Sequence, residues 1–263
     1  AFFGVGGYVA ALALQASPTL LSGLLLPMLA GALVAAGIGY LCVRVSGIYF
    51  IMLTLAFSQM FYAVAFQSAA LGAEDGIIGV PRPAELGMLL SEPAVFHAYA
   101  VGIVALVMFA LYRIQISPFG HVLRAIHSNE LRLSAVGYAV PRYQLLAFVV
   151  AGTVAALAGS LYTQEVGSIT PDAFLWITAG EVLLMVIIGG SGALFGPLLG
   201  AALFILLQSI VSSYSERWML IVGLTFVFLV LLAPQGIAGL LRGGIRPRLS
   251  RLVAALGRAR PPR

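Results

Sequence analysis

Apolar residues fill this chain in long blocks rather than at the spacings of a half-buried strand or surface helix. Each block ends at an arginine, an acid or a Pro/Gly cluster. A bilayer core needs ~20 apolar residues in one helix, and blocks approaching that length cover residues 20–43, 48–66, 96–116, 143–163, 171–189, 194–212 and 218–233. Residues 1–14 are apolar but too short to span. They read as the tail of a helix whose start is missing, so a fragment lacking its N-terminus is expected, with no visible signal peptide. The pattern predicts an all-α, polytopic membrane helical bundle of about eight spans, one of them partial. A transmembrane domain over 1–234 and a basic tail over 235–263 follow.

Composition strengthens this reading. Of 263 residues, 61% are hydrophobic and 9% charged, against about 25% charged in a soluble domain. A chain this apolar needs lipid as solvent for much of its surface. The formal charge of +5 is carried by Arg alone, with no Lys. Span parity puts Arg44, Arg113, Arg124, Arg132, Arg142 and every arginine from Arg242 onward on one side, with Glu130 as the one acid there. The opposite side holds Arg82 and Arg217 with Glu74, Asp75, Glu85, Glu92, Glu165, Asp172 and Glu216. The arginine-rich side is cytoplasmic by the positive-inside rule, which also places the C-terminus there. The basic tail then suits anionic lipid better than nucleic acid. The single cysteine, Cys42, lies in an apolar run, where it makes no thiolate cluster or intrachain disulfide.

The cytoplasmic loop over 113–142 is the most informative segment. Ser117 and Pro118 suit the N-cap and first position of a helix. Phe119, Val122, Leu123 and Ile126 then form one apolar stripe, with Gly120, His121, Arg124 and His127 on the remaining surface. Asn129 suits the cap of a second short helix, Glu130 its first turn and Gly137 a left-handed C-cap. Two short amphipathic helices result. They can lie on the bilayer or fill a groove on a cytoplasmic partner.

Polar positions inside the spans are few. Thr170-Pro171-Asp172 opens the sixth span as cap, first position and dipole-favoured acid, and Glu181, nine residues on, falls about 14 Å along that helix. A carboxylate there must face protein or water, tying two helices together or lining a solute path. Thr54, Ser58 and Gln59 are polar within the third span. Thr54 and Ser58, four residues apart, share a face and can line an aqueous route or bond back to their own helix. Gly192, Gly196 and Gly200 recur every four residues, and Gly152 and Gly159 accompany Ala155 and Ala156. Both sets predict close helix packing. The Gly189-Gly-Ser-Gly192 stretch is no nucleotide loop, because the Walker pattern needs a lysine. No metal-ligating or catalytic motif is present, and an enzyme is not expected.

Several blocks resemble one family. Ser117-Pro-Phe-Gly-His-Val-Leu-Arg-Ala-Ile-His-Ser-Asn-Glu130 with Gly137 resembles the cytoplasmic loop of the branched-chain amino acid ABC transporter permeases, M-type in pattern. Arg44-Val-Ser-Gly-Ile-Tyr-Phe50 with Thr54-Leu-Ala-Phe57, Asp75-Gly-Ile-Ile-Gly79, Gly189-Gly-Ser-Gly192 with Gly196-Pro-Leu-Leu-Gly-Ala201, and Ala233-Pro-Gln-Gly236 are similar to further family blocks. His121 stands where Arg is usual, Ser128 where an acid is common, and 71–76 where Thr-Gly-Gly is typical. The resemblance implies a bacterial inner-membrane permease for branched-chain amino acids. Its loop residues Ser117, Pro118, Phe119, Gly120, Leu123, Arg124, Ile126, Asn129, Glu130 and Gly137 would dock on the ATPase. It also implies a second related permease, two cytoplasmic ATPases that hydrolyse the ATP, and a periplasmic solute-binding protein. This chain itself would hold no cofactor. Related permeases carry urea, short amides and other solutes. The residues alone also admit an ion-coupled secondary transporter, for which Glu181 is the one midplane candidate.

Overall fold

The computed structural model describes residues 1–45, 47–83, 92–190, 192, 194–214 and 223–224. They divide into two compact units, Ala1–Thr178 and Ala179–Arg263. Apart from 223–224, the expected eighth span (218–233) lies outside the described residues, as do the tail over 235–263 and Ala233-Pro-Gln-Gly236.

The first unit is built on helices α1 (Phe2–Ala16), α2 (Leu20–Cys42), α3 (Ile48–Gln67), α4 (Pro93–Ile116), α5 (Pro118–Ser128), α6 (Glu130–Ala135) and α7 (Val140–Val166), followed by the start of α8 (Trp176–Gly189). Local chemistry sets the breaks. Thr19 and Ser22 exchange side-chain and backbone hydrogen bonds in a capping box that opens α2. Gly47, with φ +65°, turns the chain into α3, and Gly167, with φ +74°, closes α7. Among the described residues, α2, α3, α4, α7 and 196–213 of α9 (Gly196–Tyr214) are long and apolar enough to cross a bilayer. The expected multi-pass helical bundle is therefore what the chain forms.

Helices α1, α2 and α7 all pack on one another, and α7 approaches both of the others closely. A Cβ on Gly6 would strike the Ala156 carbonyl, and one on Gly159 the Phe3 carbonyl. Gly31 faces the Ala156 methyl, and Gly152 the Ala35 methyl. The small residues of α7 are thus a packing face, as their spacing predicts. Polar groups tie the same seam. Ser160 Oγ donates to the Gly23 carbonyl, and Gln164 Nε2 donates to that carbonyl at 3.2 Å and to Ser160 Oγ at 2.9 Å.

One end of this unit carries a small clasp. Strand β1 (Ile77–Ile78) pairs antiparallel with β2 (Ser168–Ile169), and Val80 N–H donates to the Gly167 carbonyl at 2.9 Å. Arg82 lies 3.7 Å from Glu165 and over the Phe96 ring, while His97 lies 3.6 Å from the same carboxylate. Span parity places these loops on one side, and the structure brings them together.

The sixth span departs from expectation. Residues Pro171–Phe174 form a 3-10 turn, Leu175 is extended, and α8 begins only at Trp176. Thr170 makes no side-chain cap. The Phe174 ring explains the break. It stacks on Tyr8 and Phe61, with centroids at 5.5 and 6.0 Å, and lies against Gly4. This wedge between α1 and α3 outweighs the apolar run's tendency to continue as helix. The remaining 14 residues of α8 reach about 21 Å, short of a ~30 Å core.

In the second unit, Ile188 and Phe204 form a small core with Leu184, Met185 and Leu203. A Cβ on Gly196 would strike the Gly190 carbonyl, and one on Gly200 the Met185 carbonyl. Gly192 lies in the turn before α9, with nothing near its Cβ direction. The close approach therefore uses Gly189, Gly196 and Gly200. A single helix through 192–200 fails because the turn ends at residue 195.

Candidate functional site

The loop over 113–142 folds as its caps predict. Ser117 Oγ accepts from Gly120 N–H at 3.4 Å and donates to the Ile114 carbonyl at 2.6 Å, and Pro118 opens α5. Asn129 Oδ1 accepts from Arg132 N–H at 2.9 Å and opens α6, with Glu130 in its first turn. Gly137 follows α6 with φ +95°, a conformation only glycine holds without strain.

These residues lock α5 onto the end of α4. Gly120 lies against the Ile114 and Gln115 carbonyls, where a Cβ would not fit. Arg124 reaches back to donate to the Gln115 carbonyl at 3.0 Å, a favourable place for a cation at a helix C-terminus. The half-buried stripe of Phe119, Val122, Leu123 and Ile126 faces inward. Helix α5 packs on α4 and α7, with Phe119 stacked on Tyr143 at 5.9 Å. The stripe is thus largely covered by the chain's own helices, because a connection of one residue, Ser117, folds α5 back on α4. Leu131 and Val136 face outward instead, 82% and 72% exposed.

Glu130 also has a partner within the chain. Gln144 Nε2 donates to its Oε1 at 3.3 Å. Both border a cavity of about 350 Å³ with Val45, Gly47, Phe50 and Phe148. The α2–α3 turn and the α5–α6 loop, separate blocks in sequence, therefore meet here.

The polar positions of α3 divide. Thr54 Oγ1 donates to its own helix, at the Phe50 and Ile51 carbonyls, 3.0 and 2.9 Å away. Ser58 is buried and donates to the Phe174 carbonyl at 2.6 Å. Ser58 is the eleventh of the 20 residues in α3, so the turn it holds lies near mid-span. Non-helical backbone at such depth is tolerated where protein or water satisfies it. Gln59, the next residue, is exposed, and its side chain has no hydrogen bond among the described residues.

Glu181 is half-buried in the second unit, the sixth residue of α8. That is about 8 Å from the start of the helix, not the 14 Å of an unbroken span. The clasp of Arg82, Glu165 and His97, and the Phe174 wedge, escaped the sequence reading. Opposite charges on one side of the membrane hinted at the clasp; no local pattern marked the wedge.

These features define a multi-pass membrane protein with a rigid helical elbow on its arginine-rich side. The chain belongs to the branched-chain amino acid transport system permease component family, whose model matches residues 1–231. It is 26% identical to the high-affinity branched-chain amino acid transport system permease protein LivM of Escherichia coli K12, over 81% of this chain and 57% of that protein. The LivM protein of Salmonella typhimurium is also 26% identical, over 82% of this chain and 57% of its own length. The autoinducer 2 import system permease protein LsrC of Escherichia coli HS is 30% identical over 45% of this chain and 36% of LsrC. The chain thus spans little more than half the length of its LivM relatives. No solved structure matches it.

Proposed function

We propose that the chain is the permease subunit of an ATP-binding-cassette importer and forms part of the translocation path for branched-chain amino acids. It sits in the bacterial inner membrane with the 113–142 loop and the C-terminal tail in the cytoplasm. It pairs with a second related permease and two ATPase subunits, and receives solute from a periplasmic binding protein. ATP is hydrolysed by the partners.

The observation that carries this reading is the elbow. Helix α5 is held to α4 by Ser117, Gly120 and Arg124 and to α7 by the Phe119–Tyr143 stack. A push on α6 is therefore delivered to two spanning helices at once, as a rigid-body movement. The outward residues Leu131 and Val136 meet the ATPase, while Phe119, Leu123 and Ile126 hold the lever to its own bundle. Charging Leu123 would thus break the lever as well as any docking.

The LsrC match favours a second reading of the cargo, as another small polar solute. Uptake of leucine, isoleucine and valine by the full-length permease with its partners tests both. The proposal expects uptake that stops when the ATPase is inactivated and survives an uncoupler while ATP is maintained. Uptake that ignores the ATPase and collapses with the uncoupler would make it an ion-coupled transporter.

A further inference from the structure

At mid-depth in the first unit, several polar side chains inside the spans are paired; the Tyr8 hydroxyl has no partner among the described residues, but it is buried among its neighbours. Thr54 and Thr153 bond back to their own helices. Ser58 reaches Phe174, and Ser160 and Gln164 meet at the Gly23 carbonyl. Gln59 is exposed and has no such bond among the described residues.

An amide facing hydrocarbon forfeits its hydrogen bonds to water and gains none. Its flanks on α3 are apolar apart from the half-buried Tyr62, three residues on. Met52, Leu55 and Phe66, one or two turns away on the same stripe, are 62%, 42% and 38% exposed. The stripe therefore presents a mainly apolar surface with a neutral amide near its centre. At the same depth, the Pro171–Phe174 turn interrupts regular helix.

We propose that Gln59 lines the aqueous route, and that the α3 stripe around it is the wall along which a small solute with an aliphatic body and a polar end passes. The amide exchanges hydrogen bonds with water and solute in turn. Being neutral, it orients a zwitterion without trapping it by charge. This inference rests on the transport reading above.

The test uses the assembled transporter in membranes. Cys42→Ala removes the one cysteine, and uptake by this variant is measured first. Gln59→Cys and Leu106→Cys are then introduced singly; Leu106, 67% exposed near the middle of α4, serves as the lipid-facing control. A membrane-impermeant cationic methanethiosulfonate is expected to modify Gln59→Cys at least ~10-fold faster than Leu106→Cys, since hydrocarbon excludes the charged reagent, and leucine should slow the reaction. Equal rates at the two positions would overturn the proposal. So would a disulfide joining Gln59→Cys to a neighbouring chain, which would mark a subunit contact. Fast modification that leucine leaves unchanged would support the aqueous route while counting against an amino acid cargo.

Discussion

Helices α2 and α7 have mean hydropathies of 2.1 and 2.0, and α3 and α4 of 1.7 and 2.2, yet the two pairs occupy different places. About a third of the α2 window and over a quarter of the α7 window are buried, against 11% for α3 and 6% for α4. Hydropathy does not separate inner from outer helices, since lipid is as apolar as a leucine. The seam of α1, α2 and α7 is distinguished by glycines at backbone contacts and by the Ser160 and Gln164 side chains, which meet at the Gly23 carbonyl. The outer helices offer large apolar side chains. The seam is finished within the chain; the outer faces, and α6 at the arginine-rich end, are completed by something else.

Replacing Gly159 with Leu attacks this difference most strongly. The new side chain meets the Phe3 carbonyl, and overpacking of this kind costs ~3 kcal/mol or more, so thermal melts in detergent should show a large loss or no folded protein. Gln164→Leu removes the donor to Gly23 and Ser160 and should destabilise by ~1–2 kcal/mol. Ser58→Ala frees the Phe174 carbonyl and should cost ~1 kcal/mol, the usual scale for one such bond in a membrane protein. Leu106→Ala, on the outer face of α4, should stay within ~0.5 kcal/mol. A Leu106→Ala loss as large as that of Gly159→Leu would erase the distinction.

The spans, the elbow and its caps were legible because each rests on neighbouring residues. Ser117, Pro118, Asn129 and Gly137 carry their geometry in their own chemistry. The direction of the α5 stripe was not legible, because amphipathicity marks a face to be covered and not what covers it. The sixth span misled for a related reason. Its apolar run is continuous, but Phe174 is drawn between Tyr8 and Phe61, residues over a hundred positions away. Ser58 likewise reads as a helix-bonding serine until the turn it holds is seen. Glycine spacing was sound for α7 and one residue set out of place at Gly192, where helix and turn share a glycine-rich sequence.

The central claim is that the elbow transmits work from a partner through the outward face of α6. The most direct test is the double variant Leu131→Asp, Val136→Asp in the assembled transporter, read by ATPase co-purification and ATP-dependent leucine uptake. Both residues are exposed, so the melting temperature should hold within a few degrees, as for a change near 0.5 kcal/mol. Co-purification and uptake should fall together by ~10-fold or more, the effect of losing about 1.4 kcal/mol of docking energy. A variant that keeps its ATPase and its uptake would contradict the account.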